Sequence, residues 1–457
     1  MKVLKFGGTS VGTAESLKNV KKIVEAQAKS EQLIVVVSAL GGITDKLIQT
    51  ARTASTGNLE YIVSYAEIVS RHLQIIKDTV AEPLQNQVRV EINPLLEELG
   101  NIFRGISLIK DLSQRTLDVV VSYGERLSSR IISKVITDAV FFESTRFIIT
   151  EQKHGSHKLL QSVTNDRIAE IIGGSRFSVA VIPGFISSDL NGDITNLGRG
   201  GSDFTAAIVA SALNASGLEI WTDVNGFLTA DPRIIPSASV IERLSFAEAM
   251  ELCNYGAKVI YAPTIYPVFH KNIPTYVKNT HNPEAEGTRI ADAVSPAGDV
   301  VIKGISSINE VALISILGQV ASSDLNFNAR VYEGLGKTGV SPLLVSCEYG
   351  ERRAYVAVKS GDAERAVDGL TDQFINELRG GTLSAITIND IYSAVALVGD
   401  NMRGKAGLAG KLAVELEKAG LQPIASTQGN SENKIVYIVE RSRSKECLTL
   451  FHSACFQ

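Results

Sequence analysis

The sequence predicts an α/β protein in which a large domain with a central, mainly parallel sheet precedes two small repeated units. Three observations lead to this fold class. The 457 residues are too many for one ordinary hydrophobic core. Short β-rich runs alternate with helical stretches up to about Lys278. From about Ile302 a βαββα pattern occurs twice, with a period of about 80 residues.

Continuous apolar runs predict the strands of the parallel sheet, because strands covered on both faces lack polar alternation. These runs are Leu33–Val37, Asp118–Ser122 and Val179–Pro183, and Val3–Phe6 is predicted as a further strand. Each run ends in small or turn-forming residues, and a helix follows most of them, beginning with the helix predicted from about Ala14 to Lys29. The stretch from about Leu59 to Gly105 is predicted to be an amphipathic helical insertion lying over the sheet.

The two tail units show the same order of predicted elements. The first comprises strand Glu310–Leu317, helix Asn326–Leu335, strands Pro342–Cys347 and Arg353–Lys359, helix Ala363–Leu378 and strand Leu383–Ile388. The second comprises strand Ser393–Val398, helix Gly404–Ala419, strands Gln422–Ser426 and Lys434–Glu440, and a last helix from Lys445. Small units of this kind often serve regulation, although a fold does not by itself define a function.

Charge and cysteine content narrow the functional classes. A net charge of −4 disfavours binding to nucleic acid or to an acidic membrane surface, so a small-molecule substrate is expected. The longest apolar run, Leu33–Val37, is far too short to cross a bilayer. Four scattered cysteines indicate neither a disulfide framework nor a zinc site, and the N-terminal residues Met1–Gly8 do not resemble a signal peptide. We therefore expect a cytoplasmic location.

Two glycine-containing segments predict anion binding. In Lys5–Ser10 a predicted strand runs into a Gly-Gly turn, where backbone N–H groups can approach a phosphate beside a lysine charge. Gly198–Asp203 precedes and begins an alanine-rich helix, and the N-terminus of a helix is suited to binding an anion. Arg199 can bind a carboxylate through two parallel hydrogen bonds. Each segment also has a simpler explanation, since the first could be a plain turn and Asp203 could merely cap its helix.

Three further polar segments lie at predicted strand or helix ends. They are Trp221–Gly226 with Thr229–Arg233 after it, Ser122–Arg126 with Glu125, and Tyr255–Val259 with Lys258. Alone, each is more simply explained by turn or surface residues. Together with the glycine segments they supply lysines for phosphate charge and an arginine for a carboxylate, which is the chemistry of phosphoryl transfer.

Four of these segments occur together in one known family. Lys5–Val11, Gly198–Asp203, Trp221–Val224 and Tyr255–Val259 together resemble the aspartokinases of the amino-acid kinase family, over essentially the whole chain. The tail is similar to the paired ACT domains of that family. The resemblance implies a three-layer α/β kinase domain with a mainly parallel sheet, followed by two ferredoxin-like (βαββαβ) ACT units, the first inserted within the second. The implied ranges are 1–279 for the kinase domain, 280–308 for a linker and the first strand of the second ACT unit, 309–390 for the first ACT unit and 391–457 for the second.

The resemblance also implies a reaction, in which the γ-phosphate of ATP moves to the β-carboxylate of L-aspartate with Mg²⁺ as the cofactor. The product, 4-phospho-L-aspartate, begins lysine, threonine, methionine and diaminopimelate biosynthesis. Lys5 and Asp203 would be catalytic. The implied substrate residues are Ser38, Thr44, Glu125, Arg199 and Ser202, with Glu125 on the ammonium and Arg199 on the α-carboxylate. The implied nucleotide residues are Lys5, Gly7, Gly8, Thr9, Thr222, Asp223, Asp231, Arg233 and Lys258. No metal site made by the protein alone is expected.

Regulation and assembly are further implications of the resemblance. The first ACT unit has Cys347–Glu351 where the family's threonine-type effector site usually has Gln-Ser-Ser-Ser-Glu. The second unit keeps Gln428 and Asn430, which become the candidate effector residues. Lysine, threonine or no effector all remain open. A homodimer formed through the ACT units is expected, since edge strands of such units are commonly paired across subunits.

Two apparent motifs are dismissed. Gly399–Ala406 has the spacing of a P-loop but ends in Ala406, which cannot hold magnesium. His154 and His157 lack an accompanying ligand set and are predicted to be surface loop histidines. Two alternative functions stay open. One is a different amino-acid kinase, acting on glutamate, acetylglutamate or a nucleotide monophosphate. The other is an amino-acid sensor on an inactive kinase scaffold. The presence of Lys5, Arg199, Asp203 and Lys258 disfavours it.

Overall fold

The computed structural model describes residues 1–153, 156–292, 302–318, 326–348, 353–400, 402, 407–428 and 433–456. The chain forms two compact units. The first consists of Met1–Phe227, Val240–Met250 and Lys258–Ser295, and the second of Leu228–Ser239, Glu251–Ala257 and Pro296–Gln457. No helix in the described ranges is long and apolar enough to cross a membrane.

The chain up to residue 292 alternates strands and helices. The strands are β1 (Lys2–Phe6), β2 (Leu33–Val37), β3 (Ala139–Phe141), β4 (Thr150–Lys153), β5 (Ser156–Leu159), β6 (Val179–Pro183), β7 (Ile186–Ser188), β8 (Ile194–Asn196), β9 (Leu218–Thr222), β10 (Arg243–Leu244), β11 (Thr275–Asn279) and β12 (Thr288–Ile290). The helices are α1 (Gly8–Val11), α2 (Ala14–Gln27), α3 (Ile43–Ser55), α4 (Glu60–Thr79), α5 (Glu82–Ile109), α6 (Gln114–Val135), α7 (Gln161–Ile168), α8 (Gly201–Ala212), α9 (Phe246–Asn254) and α10 (Tyr266–Phe269).

The central sheet of the first unit confirms the predicted α/β architecture. Within the described residues its eight strands run in the order β10-β12-β11-β9-β1-β2-β6-β3, and all neighbours are parallel except β11 and β12. All five residues of β2 and of β6 are buried, as their apolar runs predicted. Two short antiparallel hairpins, β4–β5 and β7–β8, lie outside this sheet.

Helices cover the sheet on both faces. Leu4 and Phe6 of β1 belong to the main hydrophobic core, together with apolar residues of α2 to α6. Lys5 lies between them in sequence and therefore points to the opposite face, where α8 packs. The predicted helical insertion is present as the long helices α4 and α5. The result is the expected three-layer arrangement of helix, sheet and helix.

The interpretation of Asp118–Ser122 as a strand is wrong, because these residues lie in the middle of the 22-residue helix α6. The β-branched run Val119–Val121 resembles a buried strand, but α6 is covered on most of its circumference, so the helix is also nearly continuously apolar there. Periodicity alone does not separate a buried helix from a buried strand. The correction matters because it places Glu125 on a helix and not after a strand.

A second sheet organises the chain after residue 302. Its strands are β13 (Ile302–Gly318), β14 (Leu344–Cys347), β15 (Arg353–Lys359), β16 (Leu383–Gly399), β17 (Ala425–Thr427) and β18 (Lys434–Glu440). Its helices are α11 (Phe327–Lys337), α12 (Ala363–Gln373), α13 (Ile375–Arg379), α14 (Leu408–Lys418) and α15 (Ser444–Phe456). Over the described residues these strands form one antiparallel sheet in the order β14-β15-β13-β16-β18-β17.

Two long strands are shared between the two repeats. The second half of β13 pairs with β15 and with the first half of β16, while Ile302–Ile308 pairs with the second half of β16, which in turn pairs with β18. Each repeat therefore has a ferredoxin-like strand order, and the first is inserted within the second, as the resemblance implied. The predicted strands at 383–388 and 393–398 are one continuous strand, since no turn separates them. The first strand of the second ACT unit, implied within 280–308, is described from Ile302 onward.

Two segments from the first 279 residues pack inside the second unit. Ala230 and Ile235 belong to the same core as Leu412, Leu448 and Phe451. Tyr255 packs in a cluster with residues of β13, β16 and β18. The backbone N–H of Ile305 also donates to the carbonyl of Thr229 at 2.8 Å. The compact units are therefore discontinuous along the sequence.

Candidate active site

A pocket lies where the parallel strands β1, β2 and β6 end. Because the carboxyl ends of parallel strands meet at one edge, the loops that follow them come together. The N–H of Ser38, directly after β2, donates to the carbonyl of Phe6 at the end of β1 at 3.2 Å, and the N–H of Gly184 donates to Val37 at 2.9 Å. This strand-end pocket has a volume of about 380 Å³.

Eight of the predicted site residues line the strand-end pocket. They are Lys5, Gly8, Ser38, Thr44, Glu125, Arg199, Ser202 and Asp203. They come from four separate parts of the first 203 residues, so only the fold brings them together. Gly7 and Thr9 flank Gly8 in the β1–α1 turn but do not line the pocket itself.

Lys5 and Asp203 form an ion pair within the strand-end pocket. The Lys5 Nζ atom lies 2.5 Å from Oδ1 of Asp203, and each side chain is only 11% exposed. Lys5 comes from β1 and Asp203 from the first turn of α8, where a carboxylate is favoured by the helix dipole. A lysine held in this way keeps its charge directed at the pocket.

The Gly198–Ser202 segment presents Arg199 at the pocket. Gly198 and Gly200 both have φ of +71°, a backbone conformation that favours glycine. A Cβ at Gly200 would also approach Tyr261 to 2.5 Å. The Arg199 side chain is exposed to solvent, and Ser202 is nearly buried at the start of α8. An exposed guanidinium over a pocket can still close on a ligand carboxylate.

Glu125 is a buried carboxyl group at the wall of the pocket. Its Oε1 atom accepts a hydrogen bond from the N–H of Ala39 at 3.1 Å, while its Oε2 atom has no protein partner among the described residues. Burial raises the pKa of Glu125 to about 8, and the hydrogen bond from Ala39 and the charge of Lys5 oppose that rise only in part. A buried carboxyl oxygen without a partner is suited to a cationic group of a ligand.

Close packing at Gly124 sets the position of Glu125. A Cβ at Gly124 would lie 2.7 Å from the Cβ of Ala39, so only glycine lets α6 approach the loop after β2. Ser128, one turn further along α6, donates a hydrogen bond to the carbonyl of Ser38 at 2.7 Å. The helix α6 therefore contacts the loop after β2 both before Glu125, at Gly124, and after it, at Ser128.

The residues predicted for the nucleotide side are distributed over both compact units. Thr222 ends β9, and its hydroxyl donates to Asp223 at 3.1 Å. Lys258 is exposed and belongs to the first unit. Asp231 and Arg233 belong to the second unit, where the Arg233 Nη2 atom lies 2.6 Å from Oδ2 of Asp231. Their joint role therefore stays a prediction.

The candidate effector residues lie at the end of the second repeat. Gln428 follows β17 and is half-buried. Asn430 lies outside the described residues, as do Asn401 and 403–406 of the P-loop-like segment.

The geometry agrees with comparisons to known proteins. Residues 1–279 match the model of the amino acid kinase family, and residues 395–454 match an ACT domain. The chain belongs to the amino acid kinase family. Because the family match covers the residues from β1 to β11, it includes every element that contributes to the strand-end pocket.

Similar family members are aspartokinases. The chain is 31% identical over 475 residues to a bifunctional aspartokinase/homoserine dehydrogenase of Haemophilus influenzae, covering 100% of this chain and 56% of that protein. It is 29% identical to the chloroplastic aspartokinase 2 of Arabidopsis thaliana, covering 100% of this chain and 84% of that protein. It spans about half the length of the bifunctional relatives.

Solved aspartokinase structures share the fold. E. coli aspartokinase III in complex with aspartate and ADP matches with a TM-score of 0.84 and 25% identity, covering 100% of both chains. The aspartate kinase of Clostridium acetobutylicum matches with a TM-score of 0.80 and 27% identity, covering 99% of this chain and 100% of that one. These matches confirm the predicted α/β domain with an ACT tail.

Three polar residues near the site were missed by sequence reasoning. Beside the Gly198–Ser202 segment, Asn196 and His157 each form a hydrogen bond with Asp118. His157 is therefore not a surface loop histidine as predicted, since it lies on β5 and contacts a buried carboxylate. The only available signal was the seven-residue spacing from Asp118 to Glu125, which places both on one helix face but is informative only if the segment is known to be a helix.

Proposed function

We propose that this chain is an aspartate kinase, which transfers the γ-phosphate of ATP to the β-carboxylate of L-aspartate and yields 4-phospho-L-aspartate and ADP. The observation that carries the proposal is the strand-end pocket itself. It combines the Lys5–Asp203 ion pair with Arg199 and with a buried Glu125 oxygen that lacks a partner. A structural neighbour of 25% identity holds aspartate and ADP, which supports the same substrates here.

The two ends of aspartate have complementary partners in this pocket. Arg199 would bind the α-carboxylate through its planar guanidinium, and Glu125 would accept hydrogen bonds from the α-ammonium. Ser38, Thr44 and Ser202 supply hydroxyl groups around the same volume. With both α-groups held, the β-carboxylate is left to face the nucleotide, which is the orientation that transfer requires.

Transfer needs positioning and charge neutralisation more than acid–base chemistry. A β-carboxylate oxygen attacks the γ-phosphorus, the bond from that phosphorus to the β,γ-bridging oxygen breaks, and ADP leaves with the bonding electrons. The attacking carboxylate is already ionised at neutral pH, so no general base is required. Lys5, oriented by Asp203, would neutralise charge on the transferring phosphoryl oxygens, beside the backbone of Gly7, Gly8 and Thr9.

The donors present fit a Mg²⁺ ion that is carried mainly by the nucleotide. In the described ranges no three His, Cys, Asp or Glu side chains cluster as a metal site. Magnesium commonly binds through one or two carboxylates plus substrate phosphates, and Asp203 is the carboxylate in the pocket. When bound, the ion would neutralise phosphate charge. Thr222, Asp223, Asp231, Arg233 and Lys258 are the side chains proposed to hold the rest of ATP.

The sensor alternative is disfavoured by the same pocket. An inactive scaffold has no need of a lysine held by a buried carboxylate, yet Lys5 and Asp203 form such a pair. The ACT tail is instead proposed to regulate the kinase, with Gln428 and Asn430 as candidate effector residues. We also propose a homodimer formed through the ACT units, because β14 and β17 lie at the edges of the sheet in the described residues.

A cytoplasmic location is proposed as well. The thiols of Cys347, Cys447 and Cys455 are free, which fits a reducing compartment. ATP and aspartate are both available there.

The substitution Arg199→Lys tests the assignment of the substrate carboxylate. An ammonium group cannot make the paired hydrogen bonds of a guanidinium, so we expect the KM for aspartate to rise at least about tenfold while the KM for ATP changes little. Steady-state kinetics with each substrate varied in turn measures both values. An unchanged aspartate KM would remove Arg199 from the substrate carboxylate. The matched control is Arg115→Lys, at an exposed residue of α6 that does not line the strand-end pocket.

A further inference from the structure

A buried carboxylate outside the strand-end pocket is joined to the segment that presents Arg199. Asp118 lies on α6, two turns before Glu125, and is only 4% exposed. Its Oδ1 atom accepts hydrogen bonds from Gln114 Nε2 at 2.8 Å and from Asn196 Nδ2 at 2.9 Å. Its Oδ2 atom lies 3.2 Å from Nε2 of His157. The described residues pair it with no lysine or arginine.

Asn196 connects Asp118 to the loop that contains Arg199. Its side-chain nitrogen donates a hydrogen bond to Asp118, which fixes the orientation of the amide group. The Oδ1 atom of the same group is then directed towards the residues that follow Asn196. That oxygen accepts a hydrogen bond from the backbone N–H of Gly198 at 2.9 Å. Gly198 immediately precedes Arg199 and has a left-handed backbone. The orientation of one amide group therefore helps to hold the residue that begins the Arg199 segment.

A second cavity borders this network. It has a volume of about 580 Å³, and its lining includes Asp118, His157, Asn196, Gly198 and Arg199. Gly198 and Arg199 also line the strand-end pocket. The loop thus borders two cavities, and the hydrogen bond from Gly198 to Asn196 is one of the contacts that hold its backbone between them.

We propose that Asp118 is a positioning residue for substrate binding, acting through Asn196 and Gly198 on Arg199. A charged acceptor forms stronger hydrogen bonds than a neutral one, and a buried carboxylate holds its donors in fixed directions. Asp118 and Glu125 share one face of α6, so a single helix would then organise both proposed aspartate contacts, Glu125 directly and Arg199 through Asn196. This inference rests on the proposed aspartate kinase activity.

Two substitutions test the link, with a third as the control. Asp118→Ala removes the acceptor of Asn196, and Asn196→Ala removes the acceptor of Gly198 directly. Asp193→Asn is the control, because Asp193 pairs with Arg115 at 2.7 Å and joins α6 to the segment before β8 in a comparable way, but through two exposed side chains. The KM for aspartate should rise about tenfold in both alanine variants, the size expected for one hydrogen bond to a charged group. The KM for ATP, and the control, should not change.

A double substitution distinguishes positioning from a general loss of structure. If Asp118 acts through Arg199, then Asp118→Ala should add nothing to the KM for aspartate in an Arg199→Ala background. Independent effects that multiply would overturn the proposal. Should Asp118→Ala fail to fold, Asn196→Ala carries the same test, since the side chain of Asn196 is only half-buried.

Amide hydrogen exchange gives a readout that needs no activity. Exchange at the Gly198 N–H should be about tenfold faster in Asp118→Ala, although Asp118 does not touch Gly198, and unchanged in Asp193→Asn. Equal exchange rates and an unchanged aspartate KM would overturn the positioning role. If the unaltered chain phosphorylates no aspartate, the proposed function fails by itself, and the exchange rate at Gly198 still decides whether Asp118 holds the loop.

Discussion

Glu125 is the residue whose ionisation links the pocket to pH. Burial raises the pKa of its carboxyl to about 8, against 4.5 for an ordinary glutamate. In the free protein Glu125 therefore holds a proton at neutral pH. An ammonium group placed beside it would favour the carboxylate, so ligand binding should expel that proton. The affinity for aspartate should consequently rise with pH until Glu125 is ionised.

We predict that aspartate binding releases close to one proton at about pH 6.5, and progressively less as the pH passes about 8. Calorimetric titration in two buffers with different ionisation enthalpies measures the number of protons released. A binding enthalpy that does not depend on the buffer would contradict the assignment of Glu125 to the ammonium.

The substitution Glu125→Gln tests the raised pKa of Glu125 in the absence of any ligand. A folded-state pKa above the unfolded value stabilises the protein fully below about pH 4.5, and this stabilisation is lost as the pH rises through about 8. The melting temperature of the unaltered chain should therefore fall more steeply over this range than that of Glu125→Gln. Parallel melting curves would show that Glu125 is not buried as described.

The site residues differ in how far the sequence alone could predict them. Lys5 and Arg199 lie close in sequence to glycines at the end of a strand or the start of a helix, so the local sequence was enough to identify them. Asp118 and Asn196 have no such pattern, because their importance comes from contacts between residues 78 positions apart in the chain, at 118 and 196. Only the packing of α6 against the β7–β8 hairpin makes them neighbours.

At the scale of elements, α6 is the helix that carries Glu125, the residue proposed to bind the substrate ammonium. It carries Asp118, Gly124 and Glu125, and Ser128 joins it to the loop after β2. It approaches that loop closely at Gly124, where a Cβ would lie 2.7 Å from the Cβ of Ala39. The position of the helix is therefore sensitive to a single methyl group.

We predict that Gly124→Ala destabilises the protein by about 1–3 kcal/mol, the usual cost of overpacking a core, and raises the KM for aspartate as Glu125 is displaced. Thermal unfolding and steady-state kinetics measure the two effects. Gly105→Ala in α5 is the control, since a Cβ there meets no atom within 4 Å. That substitution should instead stabilise the helix by about 0.5–1 kcal/mol. Equal behaviour of the two variants would show that α6 is free to move.

The elements also show where sequence patterns stop being informative. The strands β2 and β6 were predicted because apolar runs of five residues bounded by turns suit a buried parallel sheet. The run Val119–Val121 has the same composition but is one turn of a helix, and only its length and burial distinguish it. Likewise β13 and β16 are each 17 residues long, so a strand that passes through two repeats resembles two separate strands in the sequence.

At the scale of the whole molecule, the second compact unit incorporates pieces of the first 279 residues. The Leu228–Ser239 segment contains Asp231 and Arg233, both proposed to bind ATP, and its Ile235 is buried in a core with residues of α14 and α15. The Glu251–Ala257 segment leads directly to Lys258. Within it Glu251 pairs with Lys434 of β18 at 2.9 Å, and Tyr255 is buried. The segments that contain or immediately precede these proposed nucleotide-binding residues thus pack in the same compact unit as the ACT tail.

We predict that a fragment of residues 1–292 will not fold into an active kinase. Without the tail, Ala230, Ile235 and Tyr255 lose the apolar surroundings that bury them, and exposed apolar surface promotes aggregation. Size-exclusion chromatography with light scattering should show aggregation of the fragment but not of the full chain produced in parallel. In a kinase assay, only the full chain should be active. A monodisperse fragment with the activity of the full chain would contradict the dependence on the tail.

The most direct test of the central claim is ATP-dependent formation of aspartyl hydroxamate, in which hydroxylamine traps the acyl phosphate formed from aspartate, ATP and Mg²⁺. We predict that the full chain forms the hydroxamate and that Lys5→Ala lowers its turnover by a factor of about 10²–10³ while remaining folded. Lys2→Ala, at the opposite end of β1 and outside the strand-end pocket, should keep its turnover. No hydroxamate with aspartate, or full turnover by Lys5→Ala, would contradict the account.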